Sequence, residues 1–571
     1  MKELIISNLS KKKKLNKNVI ALGFWVKNEK INFFNYHWEN KKKLNLDYKY
    51  LNKLSEEFIN LIAKKLNFIH NENRSFRYWR IILSPWLYVY ISSMYDRWEI
   101  INSLKKNKNK FICNYFYAEK IFKNHGISDY IEKVTKNELW NHSNFIRIIK
   151  YKKIKKIKFK KIDKSFNYMN NRKENKKTSF INFLDNILSH ISVLVNSIII
   201  ENFYISKKDY LNLCLKSKIF PGFFKNFFTS TTLYNGKTNF ELRNEVFKYN
   251  SNKKDFRHFL FECLKSDFPI TYLENYKTLQ SEINSKGFQN KNIKKIFSMI
   301  SFIDNEIFKI WLANKVENGS KFVIVSHGGC LTPKLNGFFN YFAKIADKVI
   351  TSKKILNQKE YQMPLLKNNF FIKRNNHNKD IYIFDCEPAN YACKIQSWPF
   401  INDYKKILNN TEKLINIFSK SDHKNIFYRS MNNGRNLSEM IKKKIPLINI
   451  SNLDKINFKD IQDNIKLAIC MYPETVIVDL ISLGIPTIIY IPNKLYSFDT
   501  NSKKMIKYLK KNKIYFDDFD NLKLHLNNIK YSPIKWWSSK SNQLVIEKFR
   551  KNFFKFDKNY ILKWDRLIKK I

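Results

Sequence analysis

The sequence holds only seven cysteines (113, 214, 263, 330, 386, 393 and 470), widely spaced and without a CxxC pair. That argues against a disulfide framework and a zinc ribbon, and fits a reducing compartment. There is no apolar leader: the opening MKELIISNLSKKKKLNK breaks off after two isoleucines and turns basic, so no export signal is expected. Nor does any stretch reach the roughly 18 to 20 uncharged apolar residues that span a bilayer. The nearest, Ile81 to Tyr95, is interrupted by Ser84, Pro85, Ser92 and Ser93. A cytoplasmic protein without a transmembrane helix is the expectation. Glycine and proline are scarce (11 and 12), while lysine, asparagine and isoleucine are enriched throughout, as a genome's base composition can impose. Acidic residues (49) are far outnumbered by Lys and Arg (105), leaving a net charge of +56. This charge has two readings, compositional drift over a solvated surface or a polyanion partner. The lack of a basic reading helix, an RNP block or a zinc pattern makes nucleic acid an unlikely partner.

What is present suffices for more than one core. The chain has 571 residues, 44% of them hydrophobic and 16% aromatic, and single cores stop growing near roughly 250 to 300 residues. Glu3 to Ile6 and Val19 to Trp25 read as strands. From Asp47, Leu51, Leu54, Phe58, Leu61, Ile62 and Leu66 recur at three- and four-residue steps, which predicts a helix of about five turns. A second long helix is expected over Arg77 to Ile101. The lysine-rich run from Tyr151 to Lys177 reads as an exposed loop or insertion. Helices are expected over about Phe180 to Ile200, in the 250s and 260s, and over Asn292 to Asn314.

Strand, loop and helix then alternate, with strands at Phe322 to Val325, Lys348 to Thr351, Asp380 to Phe384, Asn425 to Tyr428, Leu467 to Met471 and Thr487 to Ile491. This pattern predicts a parallel α/β fold of two Rossmann-like domains, the first with large helical additions. Expected boundaries are 1–370, 371–535 and a helical segment 536–571 that returns to the first domain.

Three strand ends could carry chemistry. After the strand at 467–471, Tyr472-Pro473 turns into a helix that starts at Glu474 and Thr475. Its N–H groups could meet a phosphate, with Thr475 and Asp479 on one face; Thr475 as a mere cap and Asp479 as a solvated side chain is the competing reading. Gly484 reads as the helix C-terminal cap. Ser326-His327-Gly328-Gly329 follows a buried strand, and its glycines permit close backbone approach to a ligand; a tight turn with a packed histidine is the alternative. Arg429 suits a diphosphate or, equally, a surface ion pair. In the first half His37, Trp38, Arg77, Trp79, Arg80, Asp96 and Arg97 fall within about sixty residues. They offer either a sugar-stacking, anion-holding site or an ordinary aromatic core. The one Asp-x-Asp, Asp518-Phe519-Asp520, reads as a helix start with Asp520 as N-cap.

The segments YHWEN (36–40), LDYKYL (46–51), LNFIH (66–70) and SFRYWRIILSPWLYVYISSMYDRW (75–98), then SHGG (326–329), IADKVITS (345–352), FYR (427–429) and YPETVIVDLISLGIPTI (472–488), resemble a family of transferases encoded in bacterial surface-polysaccharide and O-antigen clusters. The C-terminal unit is similar to glycosyltransferases of the two-Rossmann, GT-B type. Two departures stand out: Glu39-Asn40-Lys41 where that family continues with acidic residues and an arginine, and Asp479 where related glycosyltransferases favour glutamate.

The resemblance implies transfer of a sugar from a nucleotide-sugar donor to a saccharide or lipid-linked acceptor. Expected donor contacts are His327, Gly328, Gly329, Arg429, Glu474, Thr475 and Asp479. Expected acceptor contacts are Trp38, Arg77, Trp79, Arg80 and Arg97. His37 is the expected base and Asp96 the second candidate. No metal or cofactor is expected beyond the donor itself, and peripheral contact with the inner membrane is consistent with a lipid-linked acceptor. Transfer of glycerol phosphate or sulfate is the competing chemistry, and non-catalytic polyanion binding the competing class.

Overall fold

The computed structural model describes all residues except 11–17, 28–30, 116–122, 163–179, 225–226, 286–291, 355–357, 365, 367–378, 432–433, 454 and 556. The run TIIY is buried from end to end, and KFVIV and IKLAIC at every residue but one lysine each, as strands covered by helices on both faces are. They belong to three parallel sheets. The first orders β1 (Lys2–Ile5), β2 (Val19–Ala21), β3 (Asn32–Phe33), β4 (Phe111–Tyr115) and β5 (Ile157–Lys161) as β3-β2-β1-β4-β5. The second contains β6 (Ile198–Glu201), β7 (Lys295–Ser298), β8 (Lys321–Val325), β9 (Lys348–Thr351) and β10 (Glu360–Gln362) in simple succession. The third contains β11 (Asp380–Cys386), β12 (Ile426–Met431), β13 (Asn449–Ile450), β14 (Ile465–Cys470), β15 (Thr487–Tyr490) and β16 (Tyr515–Phe516), ordered β13-β12-β11-β14-β15-β16. The α/β class is as expected from the sequence. The segment before residue 370 carries two sheets where one was expected.

The Phe76–Lys106 helix is buried along almost its whole length and packs on the Lys41–His70 and Glu306–Glu317 helices. Pro85 lies inside it and cannot donate to the carbonyl of Ile81. That carbonyl accepts instead from the Tyr341 hydroxyl at 3.0 Å, so a break in the helix ladder becomes an anchor between distant segments. The Lys41–His70 helix starts before the expected Asp47 because Asn40 caps it, its side chain accepting from the Lys43 N–H at 3.0 Å.

Several elements differ from expectation. The helix from Phe180 ends at Val195, and Ile198–Glu201 is a strand; a run of three β-branched isoleucines favours the pleated conformation. Asn292 to Asn314 likewise divides into β7 and the start of the Glu306–Glu317 helix. Of the lysine-rich run, Ile157–Lys161 is edge strand β5 rather than loop, its alternate lysines exposed; residues 163–179 lie outside the described residues. Asp518, not Asp520, is the N-cap, accepting from the Asn521 N–H at 3.0 Å. The terminal stretch is two helices. Lys540–Phe553 joins the core of the third sheet, and Tyr560–Lys570 packs on the Lys207–Ser217 helix of the second. Among the described residues no helix is long and apolar enough to cross a membrane.

Candidate active site

Parallel sheets bind ligands beyond the carboxyl ends of their strands, above all where the strand order reverses. In the third sheet the reversal lies between β11 and β14, which release Glu387 and the turn Tyr472–Glu474. That turn leads into the Thr475–Ser482 helix. Thr475 is not its cap; Glu474 stands at that position without a side-chain cap bond. The Thr475 hydroxyl accepts from the Gly329 N–H at 2.8 Å, across 146 residues. The loop leaving β8 is thereby joined to the helix start of the third sheet.

Both glycines are required there. A Cβ on Gly328 would stand 2.5 Å from Thr475 Oγ1, and Gly329 has φ +85°, a conformation side chains other than hydrogen resist. His327, Gly328, Gly329, Thr475 and Asp479 line one small cavity of 40 Å³. The helix beyond closes as expected at Gly484, φ 72°, with Ile485 N–H donating to the Leu480 carbonyl at 3.0 Å.

Two charged side chains back this contact. Lys353, just past β9, donates to Thr332 Oγ1 at 3.2 Å. Its Nζ lies 3.6 Å, and Glu474 Oε2 3.7 Å, from the point a Gly329 Cβ would occupy. Burial pushes Lys353 below its ordinary range and Glu474 above its own. His327 is pushed down by burial, which keeps its imidazole neutral at neutral pH. Its ring lies 6.2 Å from that of Tyr204, edge to face. Tyr204 also lines a cavity of 850 Å³ beyond β6 and β7, with Asp129, Asp185, Asp304, Phe203 and Tyr234 in its wall.

A buried polar cluster lies between the first and third sheets. His37 Nε2 stands 3.7 Å from Asp96 Oδ1, with both side chains buried. Asp96 also accepts from the Tyr36 hydroxyl at 2.5 Å and from Arg97 at 2.9 Å. Burial lifts Asp96 to about 6, while burial and the charges of Lys43 and Arg97 hold His37 well below its ordinary value. Neither ring nitrogen of His37 has a protein hydrogen-bond partner. Trp38 lies beside this pair, its indole N–H bound to Asp47 at 3.0 Å. Arg97 is committed to Asn141 and to the carbonyls of Ser93, Val134 and Ala392. Close by, Asn8, Lys27, Lys136 and Glu138 face Asn390 and Gly434 across a cavity of 470 Å³. The 387–403 segment after β11 touches both groups: Trp398 bonds Glu474, while Phe400 packs on Tyr36 and Trp38.

The structure thus brings His327, Gly328, Gly329, Thr475 and Asp479 around one cavity with Glu474 beside it, and His37, Trp38, Asp96 and Arg97 into one buried cluster that lines none of the cavities described above. The remaining candidates go elsewhere. Arg429 extends to the 451–456 loop, donating to Ser451 Oγ at 2.9 Å and the Ile456 carbonyl at 2.7 Å. Arg77 holds the Ile345 carbonyl and Asp347, Trp79 bonds Asn67, and Arg80 pairs with Glu56. None of these three lines a cavity described above. Sequence reasoning passed over Lys353 and Glu387, although each stands within two residues of a strand's carboxyl end; strand-end position was the available signal.

Solved structures with similar folds include the glycotransferase of kitacinnamycin (7% identity, 51% of this chain and 79% of that chain, TM-score 0.31). The wall teichoic acid polymerase TagF aligns at 10% identity over 69% of this chain and 98% of its own, TM-score 0.31. A UDP-forming α,α-trehalose-phosphate synthase from Burkholderia vietnamiensis aligns at 6% identity over 64% and 82%, TM-score 0.29. A search of curated proteins returned no match. A family model matches residues 2–568, nearly the whole length, and the chain therefore belongs to the LIC12162 family of transferases.

Proposed function

We propose that this transferase moves a glycosyl group from a nucleotide-sugar to a hydroxyl of a saccharide or lipid-linked acceptor, in the crevice between the second and third sheets. The observation that carries the reading is the bond from Gly329 N–H to Thr475 Oγ1. It brings a glycine-rich strand end, a helix N-terminus and the half-buried Lys353 to one point, a combination suited to a diphosphate. At 40 Å³ the closed cavity has room for about one water, so the donor enters as the two loops part. Its phosphate then inserts between the two, accepting from both the Gly329 N–H and the Thr475 hydroxyl. The acceptor occupies the 850 Å³ cavity, within the roughly 300 to 1,000 Å³ of small-molecule sites.

The acceptor oxygen attacks the anomeric carbon as the bond from that carbon to the phosphate oxygen breaks. The nucleotide leaves with the bonding pair, and a neutral imidazole takes the acceptor proton. We assign that role to His327, which borders the donor crevice and faces Tyr204, a residue that lines both cavities. His37, unpartnered beside Asp96, is the second candidate. Proton transfer of this kind contributes roughly 10² to 10⁴ in rate.

Thermal stabilisation by CMP-, CDP-, UDP-, GDP- and dTDP-sugars, with Thr475→Val as control, tests the donor site. A saturating donor, at about 100 times its dissociation constant, adds about 2.7 kcal/mol, and the control loses it. Stabilisation by a nucleotide-linked glycerol phosphate instead would assign the competing chemistry; no stabilisation by any of these donors would refute the site. His327→Ala is expected to remove turnover while keeping the donor shift. The same phenotype from His37→Ala, with His327→Ala active, would transfer the role to His37.

A further inference from the structure

The Phe180–Val195 helix is amphipathic with its polarity reversed. A helix on the surface of a globular core turns its apolar stripe inward. Here the inward residues are Ser189, Ser192, Val193 and Asn196, while Phe183 (60% exposed), Leu184, Ile187, Ile191, Leu194 and Val195 (62%) face outward. Their steps of three and four residues place them in one stripe. Hydrogen bonds set this orientation. Ser192 Oγ and Asn196 Nδ2 donate to the Phe220 carbonyl at 3.0 and 2.8 Å, and the Phe220 N–H donates to Asn196 Oδ1 at 2.9 Å. The polar side is thus locked to the protein and the apolar side is turned to the surface.

We infer that this face docks on an anionic lipid bilayer, the helix lying in the interface plane. Charge selects that occupant over a second copy of the chain. The protein carries +56, so two copies repel, whereas an anionic surface attracts. Asp185 is the helix's only acidic residue, and Lys207 Nζ stands 4.0 Å from it. An exposed apolar helix face on a strongly basic chain, rather than a long apolar span, suits interfacial binding.

Flotation of the full chain with phosphatidylglycerol-containing and phosphatidylcholine-only vesicles, at physiological salt, tests the proposal. The protein is expected to float with the anionic vesicles. Phe183→Asp combined with Val195→Asp, at the two ends of the stripe, should lower the bound-to-free ratio roughly tenfold or more. Phe183→Leu with Val195→Ile should retain it, and an unchanged melting temperature for both variants shows that folding is intact. A wild-type chain that stays in the soluble fraction, or an aspartate variant that floats equally well, overturns the inference. A wild-type dimer that the aspartates dissociate, with flotation unaltered, would instead assign the face to a second copy.

Discussion

Glu201 shows how a single residue at a strand end ties the fold to pH. At the carboxyl end of β6 it is fully buried, accepting from Ser298 Oγ and Ser301 Oγ, each at 2.6 Å. Burial lifts it from an ordinary value of 4.5 to about 7. Between these values the folded chain holds a proton that the unfolded chain has released, so stability falls as pH rises through the window. The drop is on the order of 3 kcal/mol, at about 1.4 kcal/mol per pH unit. Glu201→Gln should flatten that slope while leaving stability below pH 4.5 nearly unaltered, as urea unfolding across pH would reveal. An unchanged slope would assign the pH dependence to other groups. Gly328 illustrates a different lesson at the same scale. Two adjacent glycines in a chain with only 11 announced a close approach, and the sequence could not say to what.

At the scale of elements, the central Phe76–Lys106 helix depends on a partner for its proline. Tyr341→Phe removes the donor to the Ile81 carbonyl and leaves that group buried and unpaired, which should cost about 1 to 3 kcal/mol. Pro85→Ala restores an N–H that can bond Ile81 within the helix. The two substitutions together should therefore be less destabilising than the sum of the single ones, which a double-mutant cycle by chemical denaturation measures. Additive effects would mean that the tyrosine does not replace the missing helical bond. This helix was legible from its apolar density, as was the Lys41–His70 helix from its three- and four-residue steps. The strands β6 and β7 were not, because each is a four-residue strand with only two or three apolar residues in a row beside a helix, where period alone cannot separate strand from helix. The basic run at 151–161 misled for another reason: edge strands carry lysines that discourage further pairing, and composition alone reads them as loop.

In the whole molecule, the last helix closes the second sheet. Trp564 packs in that sheet's core, and its indole N–H donates to the Pro364 carbonyl at 2.9 Å. Trp564→Ala should cost about 3 to 5 kcal/mol, read as a lower urea midpoint. Since Trp564 also lines the small cavity with His327 and Thr475, any donor-induced thermal shift should shrink with it. A full shift in a destabilised variant would separate the helix from the donor site. The first and third sheets share the reversal of strand order that opens a crevice, and the second lacks it. The second sheet contributes instead a loop that reaches the third sheet's helix.

By itself the sequence determined the α/β class, the parallel character of the later strands and the places where backbone must approach closely. Buried strands, helix faces and turn glycines are written in local periods and residue types. Only the tertiary structure decided that Gly329 meets Thr475, that His37 meets Asp96 and that Arg429 turns to the 451–456 loop. It also decided which side of the Phe180–Val195 helix faces outward. Such contacts depend on how whole sheets and helices pack, and their hydrogen bonds are chosen among residues far apart in the chain, where no local period records the partner.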